Sequence, residues 1–139
     1  MTDLQVITSQ EDAVLWITLN QPARRNPLSS DMIAALSEAI ASGNASSDTR
    51  VIVIRAVGPA FSAGHDLRET RRRDDEDQSD WQARVGLLLE DCAAMMTSIV
   101  HAPKPIIACV QGIASAAGCQ LVSACDLAIA SEDATFCTP

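Results

Sequence analysis

FSAGHDL (residues 61–67) has a counterpart fifty residues later, QGIASAAGCQL (residues 111–121). Each stretch follows an apolar run and places small residues where an extended chain gives way to a turn or a helix. Small residues there let backbone N–H groups point together at one oxygen atom. The two stretches therefore predict an oxyanion hole, a pair of amide donors that stabilises negative charge on a reacting oxygen.

Apolar runs and helical periodicities alternate around these stretches. Strands are predicted at residues 14–19, 51–54, 106–110 and 127–130. A first helix begins near Ser29 and ends at Gly43-Asn44, a long amphipathic helix covers residues 81–99, and a third covers residues 116–124. This order predicts an α/β fold with right-handed crossovers between parallel strands.

Length and composition favour one globular domain. The 139 residues are 47% hydrophobic, and no linker divides them. No apolar run is long enough to span a bilayer, and the first residues lack the basic and apolar regions of a signal peptide. We therefore expect a cytoplasmic protein without a membrane partner.

The formal charge of −8 disfavours nucleic acid as a partner, because phosphate binding needs cations that dominate their face of the protein. Two local groups of arginines remain, Arg24 with Arg25 and Arg68 with residues 71–73. Acidic residues 74–77 follow the second group and cancel most of its long-range field. We expect this mixed run to be a solvated loop or the start of a helix.

The cysteines and histidines indicate neither disulfides nor a metal site. The five cysteines are an odd number without a Cys-x-x-Cys pair, so they are interpreted as buried free thiols. His65 and His101 have no partners at the spacing of metal ligands. We predict no metal and no cofactor.

The two opening stretches, in this order and each after an apolar strand, resemble those of the crotonase superfamily, the enoyl-CoA hydratase/isomerase family. Asn20-Gln21-Pro22 with Asn26-Pro27-Leu28 resembles its Asn-x-Pro…Asn-x-Leu loop, and Cys125-Asp126 resembles its Cys-Asp strand. The resemblance covers nearly the whole chain but roughly only the N-terminal half of a family member. It implies an incomplete spiral of ββα units, with residues 1–139 forming the N-terminal part of a single crotonase-like domain.

The resemblance also implies an enzyme of fatty acid metabolism, a lyase or an isomerase, that acts on acyl-CoA thioesters. Coenzyme A would then belong to the substrate, and the complete protein would form trimers or dimers of trimers. By position, the N–H groups of His65 and Ala117 would stabilise the thioester oxyanion. The His65 imidazole needs no catalytic duty in this role.

The remaining substrate contacts are also implied by similarity. The predicted substrate-binding positions are Ala63, Gly64, Asp66, Leu67 and Gly118, with the backbone of the first stretch along the path of coenzyme A. Arg24 or Arg25 would meet its phosphates, because guanidinium groups suit phosphate oxygens. The alternative is that both arginines are surface charges.

Gln120 departs from the family pattern, because it stands where hydratases carry the first of two glutamates. An amide cannot take a proton at neutral pH, so hydration is doubtful. The second acidic position of the family lies just beyond Thr138-Pro139.

The alternative function is a non-catalytic acyl-CoA-binding or assembly subunit. A dinucleotide-binding domain is disfavoured, because no Gly-x-Gly-x-x-Gly follows a strand.

Ala116 and Ala117 stand where many relatives carry glycine. Alanine keeps the N–H group but disfavours positive φ. We therefore expect ordinary helical or extended backbone at both residues, with the Ala117 N–H at a helix N-terminus whose dipole favours an anion.

Overall fold

The computed structural model of the chain describes residues 4–139. Its strands there are β1 (Val6–Glu11), β2 (Val14–Leu19), β3 (Val51–Ala56), β4 (Ala60–Ser62), β5 (Ile106–Val110), β6 (Ile113–Ser115), β7 (Leu127–Ala130) and β8 (Thr135–Cys137). Its α-helices are α1 (Ser30–Ala45), α2 (Leu67–Thr70), α3 (Gln78–Val100) and α4 (Ala117–Ala124). The α/β prediction is confirmed.

Two sheets organise the chain. The larger has the strand order β1-β2-β3-β5-β7 and is parallel except for the β1–β2 hairpin; the smaller is parallel with the order β4-β6-β8. Three times the chain passes from the larger sheet to the smaller one, from β3 to β4, from β5 to β6 and from β7 to β8. Helices follow the first two steps. The chain thus forms stacked ββα units, as the resemblance implied.

The core lies between the larger sheet and two helices, α1 and α3. Its fully buried side chains include Ile17, Leu19, Met32, Leu36, Ile40, Ile52, Ile54, Phe61, Met95 and Ile99. Removing an apolar side chain of this size from water stabilises the fold by about 2 kcal/mol. These side chains come from elements far apart in sequence, so the core ties the first two ββα units together.

Helix α1 begins as predicted but ends later. The Ser29 hydroxyl oxygen accepts a hydrogen bond of 3.2 Å from the Met32 N–H and caps the first turn. The helix continues through Gly43, where a Cβ atom would lie only 2.6 Å from Leu15 Cδ2. Glycine is therefore placed there for close packing on the sheet. The Lys104 ammonium donates hydrogen bonds of 2.7 and 2.5 Å to the carbonyls of Gly43 and Ser46, at the end of the helix.

Helix α3 confirms the long amphipathic prediction, with one exception. Asp77 caps its N-terminus by accepting a hydrogen bond of 2.8 Å from the Asp80 N–H. The predicted apolar face is buried at Leu88, Cys92, Met95, Met96 and Ile99. Leu89, which the apolar spacing of residues 81–99 also includes, is 50% exposed.

The cysteines are free, but only Cys92 is buried, and Cys137 is exposed. Burial, together with the neighbouring Asp126 carboxylate, raises the pKa of Cys125 to about 12. Residues 4–139 contain no grouping of His, Cys, Asp or Glu side chains that could hold a metal ion. No helix in this part of the chain has both the length and the apolarity needed to cross a bilayer.

Candidate active site

The first stretch forms a turn between β4 and α2 that is fastened to the loop before α1. The Ala63 N–H donates 2.9 Å to the Arg25 carbonyl, the Leu28 N–H donates 2.8 Å to the Gly64 carbonyl, and the Asp66 N–H donates 3.4 Å to the Leu28 carbonyl. The two segments thus run side by side like parallel strands. We call residues 62–66 the first turn.

The Asn26 side chain fixes the loop before α1 by hydrogen bonds to three backbone groups. The sequence analysis did not predict this role. The fully buried amide of Asn26 donates 2.9 Å to each of the carbonyls of Val57 and Ala60, and its oxygen accepts 2.7 Å from the Gln21 N–H. The available signal was its place in the Asn-Pro-Leu match. A buried amide with three partners fixes the loop, because leaving any partner unpaired would be unfavourable.

The second stretch forms a turn between β6 and α4, residues 115–117, which we call the second turn. The Ala116 N–H donates 2.8 Å to the Cys137 carbonyl, and the Ala116 carbonyl accepts 3.0 Å from the Gln120 N–H. Ala116 has φ 50° and ψ −120°, so the expectation of ordinary backbone at this residue is wrong. This conformation is locally strained for a residue with a Cβ atom, and the exposed Ala116 side chain adds no packing clash to that strain.

Gly64 brings the two turns into contact. It has φ 93°, and a Cβ atom there would lie 3.0 Å from the Ser115 carbonyl oxygen and 3.4 Å from the Ala117 nitrogen. A side chain would therefore push the turns apart, and its backbone conformation also favours glycine. Gly118 makes a similar close approach, since a Cβ atom there would lie 2.5 Å from the Ser62 carbonyl oxygen. Because Gly118 has no side chain, α4 can pack closely on β4.

Two backbone N–H groups at this contact have no acceptor among residues 4–139. The Leu28–His65 bridge uses the carbonyl of Gly64 and the N–H of Asp66, which leaves the His65 N–H without a partner. The Ala117 N–H opens α4 and likewise donates to no described group. The His65 imidazole is half-buried with Nδ1 3.4 Å from the Leu28 carbonyl oxygen, so it contacts the loop. Both N–H groups therefore belong to turns that touch at Gly64, and neither is used by another described residue.

Asp66 joins the first turn to the arginine pair. Its buried carboxylate forms an ion pair with Arg24 and accepts 3.1 Å from the Arg68 N–H. Burial alone would raise the pKa of Asp66, but the hydrogen bonds from Arg24 and the Arg68 N–H outweigh it, and the pKa is lowered. Asp66 therefore stays ionised and holds Arg24, while Arg25, Ala63 and Leu67 are exposed.

Gln120 lies one helical turn after Ala117, on the exposed side of α4. It borders a groove of about 310 Å³ between the end of α3 and α4, which is lined by Met96, Thr97, Val100, His101, Gln120, Ser123 and Ala124. The sequence analysis did not predict the contribution of α3, because that contact depends on tertiary packing. The groove therefore lies along the C-terminal part of α4, from Gln120 to Ala124.

A sequence model described as enoyl-CoA hydratase/isomerase matches residues 9–139. The chain belongs to the enoyl-CoA hydratase/isomerase family. It is 44% identical over 133 residues to enoyl-CoA hydratase domain-containing protein 3, mitochondrial, of Danio rerio, covering 96% of this chain and 44% of that protein. It is 32% identical over 136 residues to 2,3-dehydroadipyl-CoA hydratase of Escherichia coli (strain K12), covering 97% and 49%.

Solved structures of the family support the same assignment. The crystal structure of human enoyl Coenzyme A hydratase domain-containing protein 3 superimposes with a TM-score of 0.87 at 41% identity, covering 97% of this chain and 51% of that one. The chain thus spans about half the length of the family members that it matches. The crotonase resemblance is confirmed, and the family acts on acyl-CoA substrates.

The comparison with these relatives also contradicts the prediction that the protein is cytoplasmic. The Danio rerio relative is named as mitochondrial, as are its namesakes from Mus musculus and Homo sapiens, which are 44% and 43% identical to this chain. The prediction rested on the lack of a secretory signal and of an apolar span. Neither feature bears on import into an organelle, because organellar transit peptides are amphipathic rather than apolar.

Proposed function

We propose that the His65 and Ala117 N–H groups form an oxyanion hole for the thioester carbonyl of an acyl-CoA. The observation that carries this proposal is the pair of unpartnered amides where Gly64 brings the two turns together. When a thioester forms an enolate, negative charge develops on its carbonyl oxygen, where both donors would meet it. One such donor is worth about 3–4 kcal/mol of transition-state stabilisation.

The position of Ala117 adds to this stabilisation. It is the first residue of α4, where the helix dipole places partial positive charge and backbone N–H groups lack intrahelical acceptors. It is also buried, at 7% exposure, so water competes weakly for its N–H. An anionic oxygen is therefore favoured there over a neutral one.

Coenzyme A would follow the exposed backbone of Ala63 and Leu67, as the resemblance implies. Arg24 is held by Asp66, so phosphate contact falls to the exposed Arg25. Trimers or dimers of trimers remain a prediction for the complete protein. The proposed reaction class is enolate chemistry such as isomerisation, with the proton acceptor supplied by a group other than Gln120.

A second candidate function is a non-catalytic acyl-CoA-binding or assembly subunit. Gln120 favours it, because an amide in the groove beside the second turn cannot act as a general base at neutral pH. In this case the two amides would bind the thioester without turnover. The two candidates share the oxyanion hole and differ only in the chemistry that follows.

The oxyanion hole can be tested without turnover by isotope-edited infrared spectroscopy of bound butyryl-CoA carrying a ¹³C thioester carbonyl. Two N–H donors should lower the C=O stretching frequency relative to butyryl-CoA in water. Replacing Ala117 by lactate substitutes an ester for its N–H and keeps the methyl group. We expect the frequency shift to become smaller, with the His65 N–H responsible for what remains.

The matched control places the same ester at Ala83, an exposed residue of α3. This change should leave the thioester frequency untouched. A bound thioester that vibrates as it does in water, or a shift that the ester at Ala117 leaves unchanged, would rule out the oxyanion hole. Turnover assays with several acyl-CoA thioesters then separate the enzyme from the binding subunit.

A further inference from the structure

A groove of about 680 Å³ lies between helix α1 and the first strand, β1. Its lining residues come from positions 4–42, so it is separate from the first and second turns of the candidate active site. Val6 and Thr8 of β1 form one wall, and α1 forms the other. The volume falls in the range of protein binding sites, about 300–1,000 Å³. We call this cavity the β1 groove.

The wall that α1 supplies combines small side chains with carboxylates. Ala35 and Ala39 leave space above the sheet, while Asp31, Glu38 and Ser42 belong to the exposed rim. These five residues recur at helical spacing and therefore form one stripe along α1. Within residues 4–139, no lysine or arginine lines the groove, and neither carboxylate forms an ion pair. The groove thus carries local negative charge without a basic partner.

Strand β1 is an edge of the larger sheet, because it pairs only with β2. The Asn20 N–H donates 2.8 Å to the Gln5 carbonyl, so these residues form a hydrogen-bonded pair at the open end of the hairpin. Bonded and non-bonded pairs alternate along an antiparallel ladder, so the backbone groups of Val6, Thr8 and Gln10 turn away from β2. Such outward N–H and C=O groups can pair with a further strand.

We propose that the β1 groove binds an extended, basic peptide segment of another protein, which adds to β1 as a further strand. Residues opposite each other in a sheet place their side chains on the same face. Because Val6 and Thr8 face the groove, alternate side chains of the added strand would face it too. Backbone pairing would supply affinity, and these alternate side chains would supply specificity.

Lysine and arginine suit the positions that face α1. Their apolar stems can lie over Ala35 and Ala39 while their charged ends meet Asp31 and Glu38. The two carboxylates are seven residues apart on α1, or about 10 Å along the helix axis. Alternate residues of a strand are about 7 Å apart, and long basic side chains span the difference. One extended segment can therefore meet both carboxylates.

Charge favours such a partner over a second copy of this chain. Two copies that paired through β1 would bring two acidic grooves together, each on a chain of formal charge −8. A basic segment is instead attracted by the groove and by the net charge.

The probe for this proposal is a heptapeptide with blocked termini in which threonine and lysine alternate, titrated calorimetrically into the protein. The test variant is Asp31→Asn/Glu38→Gln, which removes both charges and keeps the side-chain shapes. Glu90→Gln/Asp91→Asn removes the same charge from exposed positions of α3 and is the matched control. We expect the test variant to bind the peptide about tenfold more weakly than the control variant, equal to about 1.4 kcal/mol.

A second peptide tests the strand pairing without changing the protein. It carries N-methyl groups on its five central residues, so it keeps its charges and loses the backbone donors that a strand needs. We expect it not to bind, and we expect the same of a heptapeptide in which threonine and glutamate alternate. The proposal would be overturned by no binding of the lysine peptide, by equal binding to the test and control variants, or by undiminished binding of the methylated peptide.

Sedimentation velocity separates this partner from a second copy. We expect the peptide to leave the oligomeric state of the protein unchanged. An oligomer that the lysine peptide dissociates, and that Asp31→Asn/Glu38→Gln strengthens, would assign the β1 groove to a second copy and would overturn the proposal.

Discussion

The first and second turns meet at Gly64, yet they are built differently. The first uses glycine, Gly64, with φ 93°, and its neighbours leave no room for a Cβ atom. The second uses alanine, Ala116, with φ 50°, and its side chain is exposed. At Ala116 only the local backbone strain of about 1–3 kcal/mol opposes alanine. At Gly64 packing would add to that strain, because a methyl group has no room.

The largest effect is expected from Gly64→Ala. The new Cβ would approach the Ser115 carbonyl oxygen to 3.0 Å while the backbone keeps φ 93°, so steric overlap and strain add. We expect a loss of about 3 kcal/mol in the free energy of unfolding, measured in urea. Gly86→Ala is the control, because a Cβ there meets nothing within 4 Å and should stabilise α3 by up to about 1 kcal/mol. Equal stabilities for the two variants would mean that the turns do not touch.

Arg24→Gln tests whether the first turn also depends on its ion pair. The change leaves the buried Asp66 carboxylate without its charged donor, and we expect a loss of about 2 kcal/mol at neutral pH. Because the ion pair lowers the pKa of Asp66, its contribution is full above the ordinary value of 3.8 and is lost as the pH falls through the lower folded value. The stability difference should therefore shrink in acid. Arg25→Gln should change little at any pH, and a pH-independent difference would contradict the ion pair.

Ala116→Gly tests whether the backbone of the second turn is strained. Glycine relieves the positive φ of the second turn but gains freedom in the unfolded chain, and we expect a net stabilisation of about 1 kcal/mol. Ala63→Gly, at an exposed residue without positive φ, should be destabilising by a similar amount. Thermal unfolding measures both. A destabilising Ala116→Gly would show that the turn carries no strain.

Gln120→Glu should change stability least, within about 0.5 kcal/mol, because its side chain is exposed. Its effect is on chemistry, since a carboxylate one turn after Ala117 can accept a proton. We expect a gain of crotonyl-CoA hydration, followed by the loss of enoyl absorbance, with Gln120→Ala as the inactive control. No gain would favour a role without hydration, which is either isomerisation with another base or binding without turnover.

Much of the fold could be predicted from local pattern. Apolar runs marked β3 and β5, and the Ser29 cap marked the start of α1. Strand β1 was missed because Val6–Glu11 is an exposed edge strand with little apolar content. The short strands β4, β6 and β8 were missed because three residues give no periodicity.

The site was less predictable where it depends on distant contacts. The two stretches were found from their small residues, but the positive φ of Ala116 follows from how β6 meets β8 and α4. The ion pair of Arg24 with Asp66 joins residues 42 positions apart, which no local pattern could show.

Lys104 gives the fold a chemical advantage as well as a structural one. It is the sole lysine in the 139 residues, and its ammonium is tied to the two carbonyls at the end of α1. Acyl thioesters are reactive toward free amines, so a protein that binds them risks modifying its own lysine side chains. With nine arginines and one half-buried lysine, this chain would present almost no side-chain amine for the acyl thioester of the proposed function to acylate.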